Sequence, residues 1–202
     1  MPKRSQLPLM CDIEERLILL CSICPIAVME IINCQFIRHG QAILDIFNEA
    51  IATSTALYDY EPRDLTTIKA WFETKAECNY PVIGIEDASG TLMGFASYGT
   101  FRHYDAYRYT VEHSIYVETK YRNRGVGKKL LQELIATARK QNYHTLIGCI
   151  DAENAVSLKL HESLGFHHCG TIRQVGYKFD RWLDLELYQL ILPTPVAAKA
   201  ID

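Results

Sequence analysis

The chain has no excess of charge of either sign: its 202 residues carry a formal net charge of −3. No global basic field exists to hold nucleic acid or an anionic membrane. Neither is expected as a partner, and any polyanion site must be local. No apolar run reaches the roughly 20 residues of a membrane span. Leu17–Val28 comes nearest and is interrupted by Pro25. The 7 cysteines lack a pairing logic, being odd in number and scattered at Cys11, Cys21, Cys24, Cys34, Cys78, Cys149 and Cys169. Reduced thiols in a cytoplasmic protein are the expectation. Cys21 and Cys24 form a C-x-x-C, but no second pair of that spacing follows and no βαβ context surrounds it. Zinc or disulfide-exchange chemistry is therefore not expected. Internal repeats and low-complexity segments are also missing.

What is present is ordinary soluble composition, 49% hydrophobic and 22% charged, enough for one domain with a proper core. Residues 1–28 read as an extension outside the fold. A signal-peptide reading places acidic Asp12, Glu14 and Glu15 where basic residues belong, and a chain start at Met29 is the other option. Residues 29–192 read as the domain and 193–202 as a small-residue tail. Strands are expected at Met29–Ile37, Tyr80–Glu86, Thr91–Phe101, Thr110–Glu118, Leu146–Ile150, 169–177 and 183–191. Helical spacing marks Gly40–Ala52, a helix after the N-cap candidate Asp64, one from Val126 through Ala138, and Asn154–Leu164 stopped by Gly165. The order βααβββαβαββ specifies an α/β (α+β) domain, a mixed, mostly antiparallel sheet flanked by helices.

The densest basic stretch of the domain is Arg122-Asn123-Arg124-Gly125-Val126-Gly127-Lys128, followed by Lys129. It joins a strand to a helix start, where first-turn N–H groups lack intrahelical partners and the macrodipole is positive. Two glycines let backbone approach a bound phosphate. Alone, the stretch reads equally well as a tight turn with solvated charges. It lacks the Gly-Lys-Ser/Thr ending of a P-loop.

A second block narrows the reading. Arg122-x-x-Gly125-x-Gly127 after the fourth strand, with Asn154-Ala-Val-Ser-Leu-Lys-Leu-His-Glu-Ser-Leu-Gly-Phe166 further on, resembles the GCN5-related N-acetyltransferase (GNAT) superfamily over about residues 29–192. Three stretches, Phe101–Val117, Leu160-His-Glu162 and Gly176–Asp184, are similar to the phosphinothricin and methionine sulfoximine N-acetyltransferases. The resemblance implies a sheet splayed between its fourth and fifth strands, acetyl-CoA as co-substrate, no metal, and a homodimer. It implies acetylation of the α-amino group of a small amino acid or analogue.

Acetyl transfer needs the cofactor held, its thioester presented, the ammonium deprotonated and the thiolate stabilised. The stretch Arg122, Asn123, Arg124, Gly125, Val126, Gly127 and Lys128 is expected to bind the cofactor, with backbone N–H groups of Arg124 to Lys128 facing the pyrophosphate and Arg122 and Arg124 adding charge. By resemblance, the backbone of Ile115, Tyr116 and Val117 pairs with the pantetheine arm, and Asn154 bonds that arm from the other side. Glu112 is the expected base and ammonium holder. Alternation sets it on one face with Thr110, Ser114 and Tyr116, where a half-withdrawn carboxylate shifts toward the working range of a base. His161 stands where the wider superfamily has tyrosine. It is either a proton carrier or a helix histidine packed in the cleft. For the acceptor's carboxylate, Arg102 offers a planar two-pronged donor, with Tyr107 and Tyr109 beside it and Arg108 as second choice.

Thr53–Tyr60 is positioned to close over the site. Tyr177 and Trp182 are assigned to its wall, to a subunit interface or to plain packing. His167, His168 and Cys169 are read as structural. Other acceptors, a protein N-terminus or a polyamine, and a non-catalytic acetyl-CoA-binding module are the competing functions.

Overall fold

The computed structural model describes residues 29–195; the expectations for 1–28, including the Cys21–Cys24 pair, and for the end of the tail lie outside them. The first strand, β1 (Glu30–Asn33), is shorter than Met29–Ile37 suggested, because α1 begins at Phe36 and runs to Thr53. The cap explains the early start. Gln35 is extended at the N-cap, and its N–H donates to Nδ1 of His39, 2.8 Å away and one turn on. After α1 come α2 (Leu65–Glu77), β2 (Val82–Glu86), β3 (Leu92–Thr100), β4 (Thr110–Val117), α3 (Val126–Lys140), β5 (Thr145–Asp151), α4 (Ala155–Ser163), β6 (His167–Lys178) and β7 (Arg181–Ile191). Asp64 does cap α2, accepting from the Thr67 N–H at 2.7 Å. The order of elements agrees with the sequence reading, and the last two strands are each longer than expected.

The strands form a single sheet, β1-β2-β3-β4-β5-β7-β6. Every neighbouring pair is antiparallel except β4–β5, which is parallel. Helices cover both faces. Beneath α1 and α2 lies an aromatic cluster: Phe47 meets Phe95 at 4.9 Å and Tyr116 at 5.0 Å, edge to face, and the Arg63 guanidinium caps it at 4.3 Å. Geometries of this kind add to plain burial by about 0.5–1.5 kcal/mol each. On the opposite face α3 buries Leu130, Leu131 and Leu134 against Met93, Val111, Leu146 and Ile150.

The short α4 is held on that second face by a histidine pair. His161 Nδ1 lies 2.7 Å from the Ser157 carbonyl, which can only accept, so Nδ1 carries the proton. His161 Nε2 then accepts from His113 Nε2–H at 2.9 Å, and Phe166 packs on both rings at 5.0 and 5.2 Å. Gly148 leaves the room: a Cβ there would stand 3.1 Å from His113 Cε1 and 3.3 Å from His161 Nε2. Burial pushes both imidazoles below their ordinary pKa of 6.5, and the neighbouring His161 ring lowers His113 further.

The pair is thus folded neutral, while in the unfolded chain each imidazole gains a proton below about pH 6.5. The unfolded state therefore binds more protons in that range, so its stability relative to the fold must rise as pH falls. Urea unfolding at pH 7, 6 and 5 should show the loss, up to about 1.4 kcal/mol per pH unit for each histidine. The slope should shrink in His161→Gln. An acid limb identical in the two proteins would mean that His161 is not held neutral.

Candidate active site

The parallel pairing of β4 with β5 covers only Thr110–His113 against Thr145–Gly148. Past that point β5 continues with β7 to Asp151, while β4 continues with β3 to Val117. The two strands have parted, and the sheet is split from Ser114 onward. The Glu118 N–H donates to the Met93 carbonyl at 3.0 Å, toward β3. Successive residues alternate, so Ile115 and Val117 direct their backbone groups into the split. Tyr116 turns its own toward β3, and its ring is buried in the aromatic cluster. Of the three residues expected to meet the pantetheine arm through their backbone, Tyr116 is therefore not brought to the split. The Val117 carbonyl accepts from Arg122 Nε at 3.1 Å.

The basic loop lies just beyond. Asn123 at φ 61° and Gly125 at φ 82° are both left-handed, which curls the backbone ahead of α3. Gly125 is the N-cap and supplies no side-chain cap, so the first N–H groups of α3 keep no partner from it. No atom lies within 4 Å of where a Gly125 Cβ would stand, so this turn faces open space. Val126 is buried, and Gly127 brings the turn onto Leu160 and Val117, where a Cβ would lie at 3.5 and 3.8 Å. Arg124 and Lys128 are exposed. Arg122 is shared with Glu49 at 3.7 Å, and Lys129 is committed to the Met29 carbonyl at 2.6 Å. This cradle and the open edge of β4 fit a diphosphate joined to an extended amide-bearing arm.

Glu112 is half-buried on the α1/α2 face, opposite Ile147 in register. Cys149 and Asp151 follow on the same face by alternation. Burial first, and then Glu112 by charge and hydrogen bond, push the Cys149 thiol up to about 12, with Arg102 opposing. Arg102 itself is exposed, its guanidinium over the Phe101 ring at 5.1 Å. Tyr107 belongs to an exposed cluster with Phe101 and Tyr104 at 5.5 and 6.5 Å. Tyr109 opens β4, its carbonyl accepting from the His144 and Thr145 N–H groups, with Arg108 stacked on its ring at 4.9 Å.

The segment between α1 and α2 covers this face and is fastened to the last hairpin. Lys178, buried, donates to the carbonyls of Ser54 at 3.0 Å and Leu57 at 2.7 Å, and the Tyr60 hydroxyl donates to the Tyr177 carbonyl. The Tyr58 ring lies where a Cβ on Gly176 would be, 2.6 Å away. Asn154 caps α4, its Oδ1 accepting from the Ser157 N–H at 3.1 Å, which leaves its amide hydrogens for another acceptor.

His161 and Glu112 stand on opposite faces of the sheet where the strands part. Both ring nitrogens of His161 are engaged, by Ser157 and His113. Sequence reasoning missed His113 as that partner, although alternation alone puts it on the face opposite Glu112. It also missed Asp151, a lone acid closing the otherwise apolar run Leu146–Ile150. Tyr177 and Trp182 face each other across the hairpin at 5.1 Å, both exposed, which rules out plain core packing for them. His168 pairs with Glu186 across β6 and β7.

The model of the acetyltransferase (GNAT) family matches residues 42–166. An L-methionine sulfoximine/L-methionine sulfone acetyltransferase of Pseudomonas aeruginosa is 46% identical over 150 residues, 74% of this chain and 87% of that protein. A phosphinothricin N-acetyltransferase of Alcaligenes faecalis is 34% identical over 149 residues, 73% of this chain and 75% of that one. The structure of a Salmonella typhimurium acetyltransferase with its cofactor acetyl-CoA superposes with a TM-score of 0.81, at 39% identity over 86% of this chain and 99% of that chain. The split sheet, the cradle ahead of α3 and these matches converge: the chain belongs to the acetyltransferase (GNAT) family and is an acetyl-CoA-dependent N-acetyltransferase.

Proposed function

We propose that the acceptor is the α-amino group of a small amino acid or analogue, of the methionine sulfoximine or phosphinothricin type, with Glu112 as general base. The observation that carries this reading is the half-buried Glu112 at the point where β4 and β5 part. Acetyl-CoA supplies the activated acetyl group as a thioester. The backbone of Arg122–Lys128 holds its diphosphate, the edge of β4 at Ile115 and Val117 receives its arm, and Asn154 donates to the arm from α4. Glu112 accepts the ammonium proton, directly or through water, which frees the amine lone pair for attack. The new N–C bond forms as the C–S bond breaks, and the departing thiolate takes up a proton. Arg102 receives the acceptor's carboxylate.

His161 in this reading is a positioning residue: through His113 it sets α4, and with it Asn154, against the split. Residues 29–192 form the catalytic unit, and free Cys34, Cys78, Cys149 and Cys169 favour the cytoplasm. A homodimer is favoured by the outer hairpin. Edge strand β6 and its turn expose Ile172, Val175, Tyr177 and Phe179, and Trp182, 60% exposed, extends the patch on β7.

Thiol release from acetyl-CoA with a panel of amino acids, methionine sulfoximine, methionine sulfone and phosphinothricin should identify at least one of the analogues as an acceptor; no turnover with any would defeat the assignment. Glu112→Gln should bind acetyl-CoA normally and lose about 10²–10⁴-fold in turnover; retained turnover removes Glu112 as base. Arg102→Ala should chiefly raise the KM for the amino acid, and an unchanged KM moves carboxylate recognition elsewhere. Sedimentation of Trp182→Glu should give a monomer where the parent gives a dimer; a monomeric parent would sink the homodimer.

A further inference from the structure

A cavity of about 310 Å³ opens at the end of β5, lined by Thr53–Ala56, Asp151, Glu153, Asn154, Phe179 and Arg181. It lies under the segment that Lys178 pins down. Asp151 is only 5% exposed: its Oδ1 accepts from the Glu153 N–H at 2.8 Å, while buried Oδ2 has no partner among the described residues. A buried carboxylate oxygen without a donor is costly unless something fills the gap. The Tyr58 hydroxyl is likewise buried without a partner. Burial raises its pKa, and Asp151 is the next cause, so the two groups feel one another.

Alternation along β5 puts Asp151 on the face of Glu112. Ile147, opposite Glu112, and Asp151 are four residues apart in the strand, about 13 Å. Cys149 lies between them. An amino acid with its amine at Glu112 and its side chain extended along β5 points the far end of that side chain at Asp151. The charged groups lining the cavity are Asp151, Glu153 and Arg181, and Arg181 is already paired with Glu153 at 2.8 Å. The balance is one uncompensated negative charge.

Building on the amine-at-Glu112 reading above, we propose that Asp151 is a second acceptor subsite, which receives a neutral or cationic hydrogen-bond donor at the distal end of the substrate side chain. A sulfoximine offers an N–H there. A sulfone, of the same shape, offers only oxygens, and a phosphinate adds a negative charge. Asp151 therefore ranks the three acceptors, favouring the first over the second and the second over the third.

The test compares the parent with Asp151→Asn, which keeps the shape and removes the charge. The kcat/KM ratio of methionine sulfoximine to methionine sulfone should fall about tenfold in the variant, as expected for loss of a charge-assisted hydrogen bond. Phosphinothricin should become a better substrate. Calorimetric binding of the same three compounds in the presence of coenzyme A reads the subsite without turnover. Discrimination there without acetylation in the parent would defeat the proposed reaction and leave the subsite standing. An equal loss for all three compounds in the variant, no change for any, or no binding of the sulfoximine to the parent would overturn the subsite.

Discussion

Everything in the site depends on where one strand pairing stops. β4 and β5 are held together as far as His113 and Gly148 and no further. In a closed sheet, Ile115 and Val117 would satisfy one another's neighbours, and no backbone edge would remain for an arm to dock on. In a sheet split earlier, Glu112 would lose its place opposite Ile147. The His113–His161 contact sits at that junction, behind Gly148, and braces it from the α4 side. A side chain at 148 would push the brace out, so the smallest residue of β5 stands where the strands diverge.

Two faces of the sheet divide the labour. The α3 side presents the open turn at Gly125, while the capped start of α4 at Asn154 reaches the cavity at the end of β5. The α1/α2 side presents side chains in a row along β5, from Glu112 opposite Ile147 to Asp151. In the proposed reading the cofactor is therefore held mostly by backbone, and the acceptor mostly by side chains. Such a division lets acceptor preference change by substitution without disturbing how the cofactor is held.

Local signals carried the fold. Helical spacing found α1 through α4, and Asp64 announced its cap, whereas the cap at Asn154 emerged only in the structure. Alternation found Glu112's face. The β1/α1 boundary was missed because its cap comes from His39, a residue inside the helix and not a typical capping type. The partnerships of His161 with His113 and of Asp151 with an open cavity were not legible, since they join residues through tertiary packing. Tyr116 was legible but unread: the alternation that placed Glu112 also turns its backbone to β3.

The last hairpin has a bearing on when the site exists at all. β7 is the last strand among the described residues, yet it lies inside the sheet, between β5 and β6. Lys178, near the tip of that hairpin, is what fastens the segment between the first two helices over the acceptor face. The segment is therefore fastened in place only once that hairpin has joined the sheet. Closure across the 124 residues between Ser54 and Lys178 is the slow kind of folding step.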